Sequence, residues 1–457
     1  MMELLSKEVQ NNELISKNLQ EIIDELQKIQ SKITEVKAPT EEGVKHQETL
    51  LKQIDDGRGR PLFYPYVGSG VGRGPYVELE DGSIKLDLIN GIGVNILGHS
   101  HPRLAEAMMK AGMSDLVMQG NLQPNNEYND MLQNLKKLYV GTNFSHAWIS
   151  TCGTMANENA LKMCRQKKSP ASKILGFEAA FAGRSTLMAE VTDNKAYKQG
   201  LPDYDDVLRI PFYDHTNENS TQVTLDALEQ HIQKHKDEIA VLVFEPIQGE
   251  GGFNVAPKEF FIPIFEMCKA NNIAIWADEV QTFCRTGEFF ACKKIGIIEY
   301  IDVMTIAKSL QAAATLYSSE FNPQPGLIAG TFAGATCSLA AGNAVLKELS
   351  EGGYMGEGGK IDWIHQNLKS KLEAKMQSSL KDRLTEVSGM GLMMALTCFD
   401  GSKERMMEIL KSLYKNGIIA FGCGRGPFKV RFLIPAVMEE KDIDHAVDII
   451  EKTLLEF

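Results

Sequence analysis

Lys308 closes the apolar run Val303-Met304-Thr305-Ile306-Ala307, and Asp278 closes another, Ile273-Ala274-Ile275-Trp276-Ala277, thirty residues earlier. Both runs read as buried strands, which sets an amine and a carboxylate at the carboxyl ends of two strands, where open α/β sheets bind their ligands. An amine forms an imine with an aldehyde. A carboxylate touching a ring nitrogen keeps that nitrogen protonated, since charges in contact at an effective dielectric near 20 interact by about 4 kcal/mol. One small molecule that carries both an aldehyde and a basic ring nitrogen is pyridoxal 5'-phosphate (PLP), which makes Lys308 and Asp278 the predicted catalytic residues. A lone lysine at a strand end is usually a solvated charge, so the neighbouring segments must decide.

The run 146–151 leads into Cys152-Gly153-Thr154-Met155-Ala156-Asn157-Glu158-Asn159. A Gly-Thr step that opens a helix offers backbone N–H groups and a hydroxyl to an anion, which makes Gly153 and Thr154 a candidate phosphate cradle. Alone it would be a simple helix cap. It has neither the lysine and spacing of a Walker loop nor the triple glycine of a dinucleotide fingerprint, which disfavours a nucleotide. Phe181, in Phe181-Ala182-Gly183-Arg184, follows a further strand and is placed to stack on a flat ring, worth about 0.5–1.5 kcal/mol beyond burial. Phe244-Glu245-Pro246-Ile247-Gln248-Gly249-Glu250-Gly251-Gly252 brings two carboxylates, Glu245 and Glu250, to the same edge in a glycine-rich loop.

Alternating strands and helices must position these groups. Runs at 146–151, 173–178, 239–245, 273–278 and 302–307, with helices at 154–166 and 258–271, give a βαβα rhythm and so a mainly parallel sheet with helices on both faces. Ahead of them, Tyr76 to Asp87 reads as a hairpin turning at Asp81-Gly82. Further upstream, Ile15, Leu19, Ile22, Leu26, Ile29, Ile33 and Val36 alternate by four and three. They form a heptad seam on a helix about 33 Å long, packed on its own subunit or on a dimer mate. Thr40 is placed to cap a second short helix, and Asp55 to Pro61 reads as a linker. Gly352 to Gly359 is a glycine-rich interruption that reads as a mobile loop. Domain boundaries follow at 1–60 (helical extension), 61–105 (N-terminal arm and part of a small domain), 106–335 (large PLP-binding domain) and 336–457 (small C-terminal domain).

The chain has 457 residues, 43% hydrophobic and 24% charged, enough for two or three domains with a sizeable core. Its formal charge of −12 argues against nucleic acid and anionic membranes as partners. No signal-peptide core or membrane-length apolar stretch is evident, and the eight cysteines show no CxxC metal spacing, so no metal is expected and the cytoplasm is the expected location.

In this order the motifs resemble the class III (ω-amino acid) aminotransferases of PLP fold type I, from about residue 62 to the C-terminus. The resemblance is carried by Gly98-His99-Ser100-His101-Pro102, by Glu-Pro-Ile-Gln-Gly-Glu-Gly-Gly at 245–252, by Asp-Glu-Val-Gln at 278–281 with Arg285-Thr286-Gly287, and by Ala307-Lys308. It implies an α/β protein whose large domain holds a mainly parallel seven-stranded sheet, with a smaller α/β C-terminal domain behind it. Under it, Lys308 is the Schiff-base lysine and Asp278 the partner of the pyridine nitrogen. Gln281 contacts the phenolic oxygen, Phe181 stacks on the ring, and Gly153 with Thr154 binds the phosphate. Thr331, in Gly330-Thr331-Phe332, resembles the threonine that reaches the phosphate of the neighbouring subunit, which implies a homodimer with shared active sites. Arg431, in Val430-Arg431-Phe432, resembles the arginine that grips a substrate carboxylate, and Glu250 the gate glutamate that pairs with it; Glu245 completes the substrate-side set.

The implied reaction moves an amino group from an ω-amino donor (lysine, ornithine, acetylornithine or 4-aminobutyrate type) to 2-oxoglutarate in a ping-pong cycle. Departures bear on the donor. Ser309-Leu310-Gln311-Ala312-Ala313-Ala314 follows the lysine where many relatives are glycine-rich, and Met155 stands where acetylornithine-type enzymes carry glutamate. Asn157-Glu158-Asn159 is closer to 4-aminobutyrate enzymes, while Ala182, Ala329 and Ile434 replace residues common in the family. A PLP-dependent aminomutase, racemase or decarboxylase would use the same Lys308 and Asp278. A non-catalytic protein that binds partners through its N-terminal helix is the rival from another class, disfavoured by the joint presence of Lys308, Asp278, Gln281, Thr331 and Arg431.

Overall fold

The computed structural model describes residues 4–118 and 121–457. A seven-stranded sheet forms its centre, in the order His146–Ser150, Ala313–Tyr317, Val303–Ile306, Ala274–Glu279, Ile239–Phe244, Lys173–Phe177, Val207–Ile210. The last five of these are mutually parallel, and Ala313–Tyr317 runs against both its neighbours. Ile239–Phe244 and Ala274–Glu279 are buried at every position, as strands covered on both faces must be. Alternate residues serve different cores. Leu242, Phe244 and Ile275 pack with Phe260, Phe261 and Phe265 of the helix Lys258–Ala270. Val241, Val243 and Trp276 pack with Leu161, Met163 and Cys164 of the helix Gly153–Lys168. A buried phenylalanine contributes roughly 1.5–3 kcal/mol, so the three of the 258–270 helix hold it firmly to the sheet.

The strands expected from apolar runs are present to within a residue or two, and two further ones join them. Val207–Ile210 is short and half-buried at alternate positions, and Ala313–Tyr317 grows out of an alanine-rich stretch that carries little strand signal. After the sheet come the helices Thr336–Glu351 and Lys360–Gln377, then an antiparallel sheet ordered Leu384–Met390, Met393–Cys398, Lys429–Leu433, Phe421–Cys423. The expected hairpin forms from Tyr76–Leu79 and Ile84–Asp87, and Ile418–Ile419 pairs parallel to its second strand. Residues far apart in sequence therefore share one small sheet.

Three sequence expectations change. The seam helix is Glu13–Gln30, shorter than the seam. Its buried residues are Leu19, Ile23 and Gln30, whereas Ile22 and Ile29 are exposed. A straight helix lying on its own subunit repeats every 3.6 residues rather than 3.5, so burial drifts off the heptad seam. The segment from Asp55 is no linker at its start: the helix Glu41–Arg58, capped by the Thr40 hydroxyl accepting from Gly43 N–H, continues until Gly59 closes it in a left-handed conformation. The glycine-rich stretch at 352–359 is a packed turn, with Tyr354 buried and the Gly356 N–H donating to the Gly287 carbonyl at 2.8 Å.

Candidate active site

Five of the strands that end at one edge of the large sheet deliver a residue there. The helix Gly153–Lys168 starts beyond His146–Ser150, Phe181 follows Lys173–Phe177, and Glu245 follows Ile239–Phe244. Asp278 and Gln281 lie at the end of Ala274–Glu279, and Lys308 lies just past Val303–Ile306. Cys152, Gly153, Thr154, Asn157, Phe181, Glu245, Asp278, Val280, Gln281 and Lys308 are among the residues that line one cavity of about 360 Å³. Lys308 itself has φ of 50°, a left-handed backbone rare outside glycine that turns the chain sharply after the strand.

The electrostatics follow from burial. Asp278 is 5% exposed, and desolvation raises its carboxyl to about 6. Two hydrogen bonds oppose that shift, from the Val280 N–H at 3.0 Å and from Asn157 Nδ2 at 2.7 Å. Burial, with the guanidinium groups of Arg431 and Arg285 nearby, pushes the Lys308 amine down to about 8. Glu245 accepts from the N–H groups of Phe181 and Gly249, both at 2.9 Å, and so braces two of the loops that wall the cavity. Burial and the neighbouring Asp278 push its carboxyl up to about 8.

Arg431 and Glu250 meet beside this cavity. Arg431 stands on the buried strand Lys429–Leu433, and its Nη1 lies 2.6 Å from Glu250 Oε1. Its Nε is buried without a partner, leaving donor capacity on one edge of the guanidinium. Thr331 is separate: it opens the 3-10 turn Thr331–Gly334, is exposed, and does not line the cavity.

Two residues went unassigned in the sequence. Asn157 lies one helical turn after Gly153, on the same face, and donates both to Asp278 and to the Ala182 carbonyl at 2.7 Å. That spacing was the available signal. Arg285 is fully buried, donating through Nε to the Gln281 carbonyl and through Nη2 to Ser309 Oγ, both at 2.9 Å, and to the Gly93 carbonyl. Nothing in its spacing revealed this.

The cavity fits PLP. An amine, a carboxylate and an aromatic ring face it, and the side-chain oxygens of Asn157 and Gln281 are buried there without partners, as expected of groups awaiting a polar ligand. The predicted phosphate cradle has no room for added side chains: a Cβ on Gly153 would lie 2.6 Å from Val280 Cγ1, and one on Gly183 would lie 2.5 Å from Thr154 Oγ1.

Known proteins agree. A 4-aminobutyrate aminotransferase of Mycobacterium leprae is 28% identical over 423 residues, 87% of this chain and 92% of its own. An acetylornithine aminotransferase of Caldanaerobacter subterraneus is 30% identical over 397 residues, 84% of this chain and 94% of its own. Among solved structures, a lysine aminotransferase from M. tuberculosis in the internal aldimine form superposes with a TM-score of 0.79 at 20% identity, covering 89% of this chain and 99% of that one, which places the fold in type I. The family model for class-III aminotransferases matches residues 66–454, nearly the whole chain beyond the N-terminal helices, and the chain belongs to that family of PLP-dependent aminotransferases.

Proposed function

We propose that Lys308 and Asp278 are the catalytic pair of an aminotransferase that takes its amino group from a terminal amine and passes it to 2-oxoglutarate. The observation that carries this reading is the common cavity onto which both face, with Thr154, Phe181 and Gln281 around them. Bound PLP supplies a carbonyl that takes up an amine and a protonated ring that draws electron density from the adjacent carbon. Asp278 holds the ring nitrogen protonated, Phe181 covers one face of the ring, and Gln281 orients the phenolic oxygen. Gly153 and Thr154 hold the phosphate. Lys308, its amine pushed down to about 8, is partly free base near neutrality, and its Nζ takes the proton from the amine-bearing carbon of the donor. Arg431 grips the acceptor carboxylate with its fork, and Glu250 neutralises Arg431 when the donor brings no carboxylate to that place.

The donor is of the lysine, ornithine, acetylornithine or 4-aminobutyrate type, a range supported by the substrates named for the relatives. The active unit is a homodimer with shared sites. Support comes from Thr331, exposed and away from its own cavity, and from the exposed apolar side chains of Leu116, Met118, Leu122 and Phe332. Among the described residues no helix is long and apolar enough to cross a membrane. The eight unpaired cysteines support a reducing compartment, the cytoplasm.

Lys308→Ala is expected to abolish covalent capture of PLP by borohydride together with glutamate formation from 2-oxoglutarate across a panel of terminal amines. Capture that persists in this variant would show that another lysine does the work.

A further inference from the structure

Cys152 is the one exposed cysteine among the described residues; Cys337 is half-buried and the other six are buried. It is also a wall of the cavity, at the N-cap of the helix Gly153–Lys168, where its side chain makes no capping hydrogen bond. Two other side chains mark this cavity as a ligand site independently of the thiol. Asn157 and Gln281, 1% and 9% exposed, line it with amide oxygens that have no partner. Gly153, the next residue along the chain, has no room for a side chain of its own: a Cβ there would lie 2.6 Å from Val280 Cγ1.

We propose that Cys152 is a modification site: a thiol that small uncharged electrophiles and hydroperoxides reach through the cavity, and whose modified form excludes the PLP phosphate. The inference rests on reading Gly153 and Thr154 as the phosphate cradle. With iodoacetamide, a sulfur–carbon bond forms as the carbon–iodine bond breaks; iodide leaves and the thiol proton goes to water. With a hydroperoxide, sulfur attacks the terminal oxygen and the O–O bond breaks. Sulfur is oxidised by two electrons to the sulfenic acid, and the peroxide is reduced to its alcohol, which takes the proton. Either product adds atoms at the mouth of a cradle built without side chains. Bound PLP in turn covers the sulfur, so the loaded protein resists both reagents and the PLP-free protein does not.

The test uses the full chain stripped of PLP, treated with iodoacetamide or mock-treated, with the site of labelling read by peptide mass spectrometry and PLP affinity by titration. Labelling at Cys152 is expected to weaken PLP binding by roughly tenfold or more, a change of about 1.4 kcal/mol or more, and saturating PLP is expected to slow that labelling to the same extent. Cys152→Ser, treated and mock-treated, should show equal affinities. After tert-butyl hydroperoxide, a thiol reductant should restore PLP binding to the wild type. Labelled protein that binds PLP as tightly as mock-treated protein overturns the proposal, as does labelling that PLP does not slow while borohydride still traps PLP on Lys308. Failure of that trapping would instead remove the reading of the site, and the proposal with it.

Discussion

A carboxylic acid that keeps its proton near neutrality leaves a signature in how stability depends on pH. Glu245 has an ordinary value of 4.5 and is pushed up to about 8 by burial and by Asp278. Between those values the folded chain holds the extra proton, so the contribution of this group is complete below 4.5 and is lost as pH rises through 8. Glu245→Gln, which cannot titrate, should flatten the urea-unfolding stability of the PLP-free protein between pH 4.5 and 8 by roughly 2–5 kcal/mol. Parallel profiles for the two proteins would mean that Glu245 is ionised in the fold. Asn157 acts on the other buried acid. Its 2.7 Å hydrogen bond to Asp278 favours the charged carboxylate, and such bonds contribute about 1.5–3 kcal/mol. Asn157→Ala should weaken PLP roughly 10- to 100-fold in an equilibrium titration, and unchanged affinity would assign the amide to packing alone. At this scale the sequence was legible wherever a residue ends an apolar strand, as Asp278 and Lys308 do. Arg285 was not, because its carbonyl and hydroxyl partners at Gly93, Gln281 and Ser309 converge only in three dimensions.

The N-terminal helix shows how an element can be legible in existence and not in placement. Its apolar period announced it, but its most informative contact is polar. Buried Gln30 donates from Nε2 to the carbonyls of Gly72 at 3.0 Å and Ser100 at 2.8 Å, pinning the helix to the Gly-His-Ser-His-Pro motif and to the strand Gly68–Arg73. A glutamine inside a seam reads as a surface residue, so no periodicity argument finds this latch. Gln30→Ala leaves the buried carbonyl of Gly72 and the half-buried one of Ser100 short of a donor, at a cost of about 1–3 kcal/mol. Faster hydrogen exchange over residues 13–30, with the central sheet unchanged, is the expected outcome; uniform exchange throughout would show that the latch carries nothing. The sheet strands were legible for the opposite reason. Ile239–Phe244 is apolar at all six positions and could be little else, whereas Ala313–Tyr317 takes its strand identity from neighbours on both sides.

For the molecule as a whole, the proposal that two subunits share each site makes cofactor binding depend on concentration. Thr331→Ala should weaken PLP binding to the assembled dimer by about 1–2 kcal/mol, the worth of one hydrogen bond to a charged group, and leave that of dilute monomer unchanged, with sedimentation used to set the assembly state. Equal losses in both states would place Thr331 in its own subunit's site. The hairpin Tyr76–Leu79 and Ile84–Asp87 joins Ile418–Ile419 from the other end of the chain, a pairing of distant segments whose register local patterns do not encode. The antiparallel strand has a similar reach. His146–Ser150 has Ala313–Tyr317 as its neighbour in the sheet, so a polypeptide that ends at residue 312 contains the proposed phosphate cradle but lacks the strand that borders it. Capture of the vitamin is therefore expected to wait for that strand, and a chain truncated before residue 313 is expected not to retain the coenzyme.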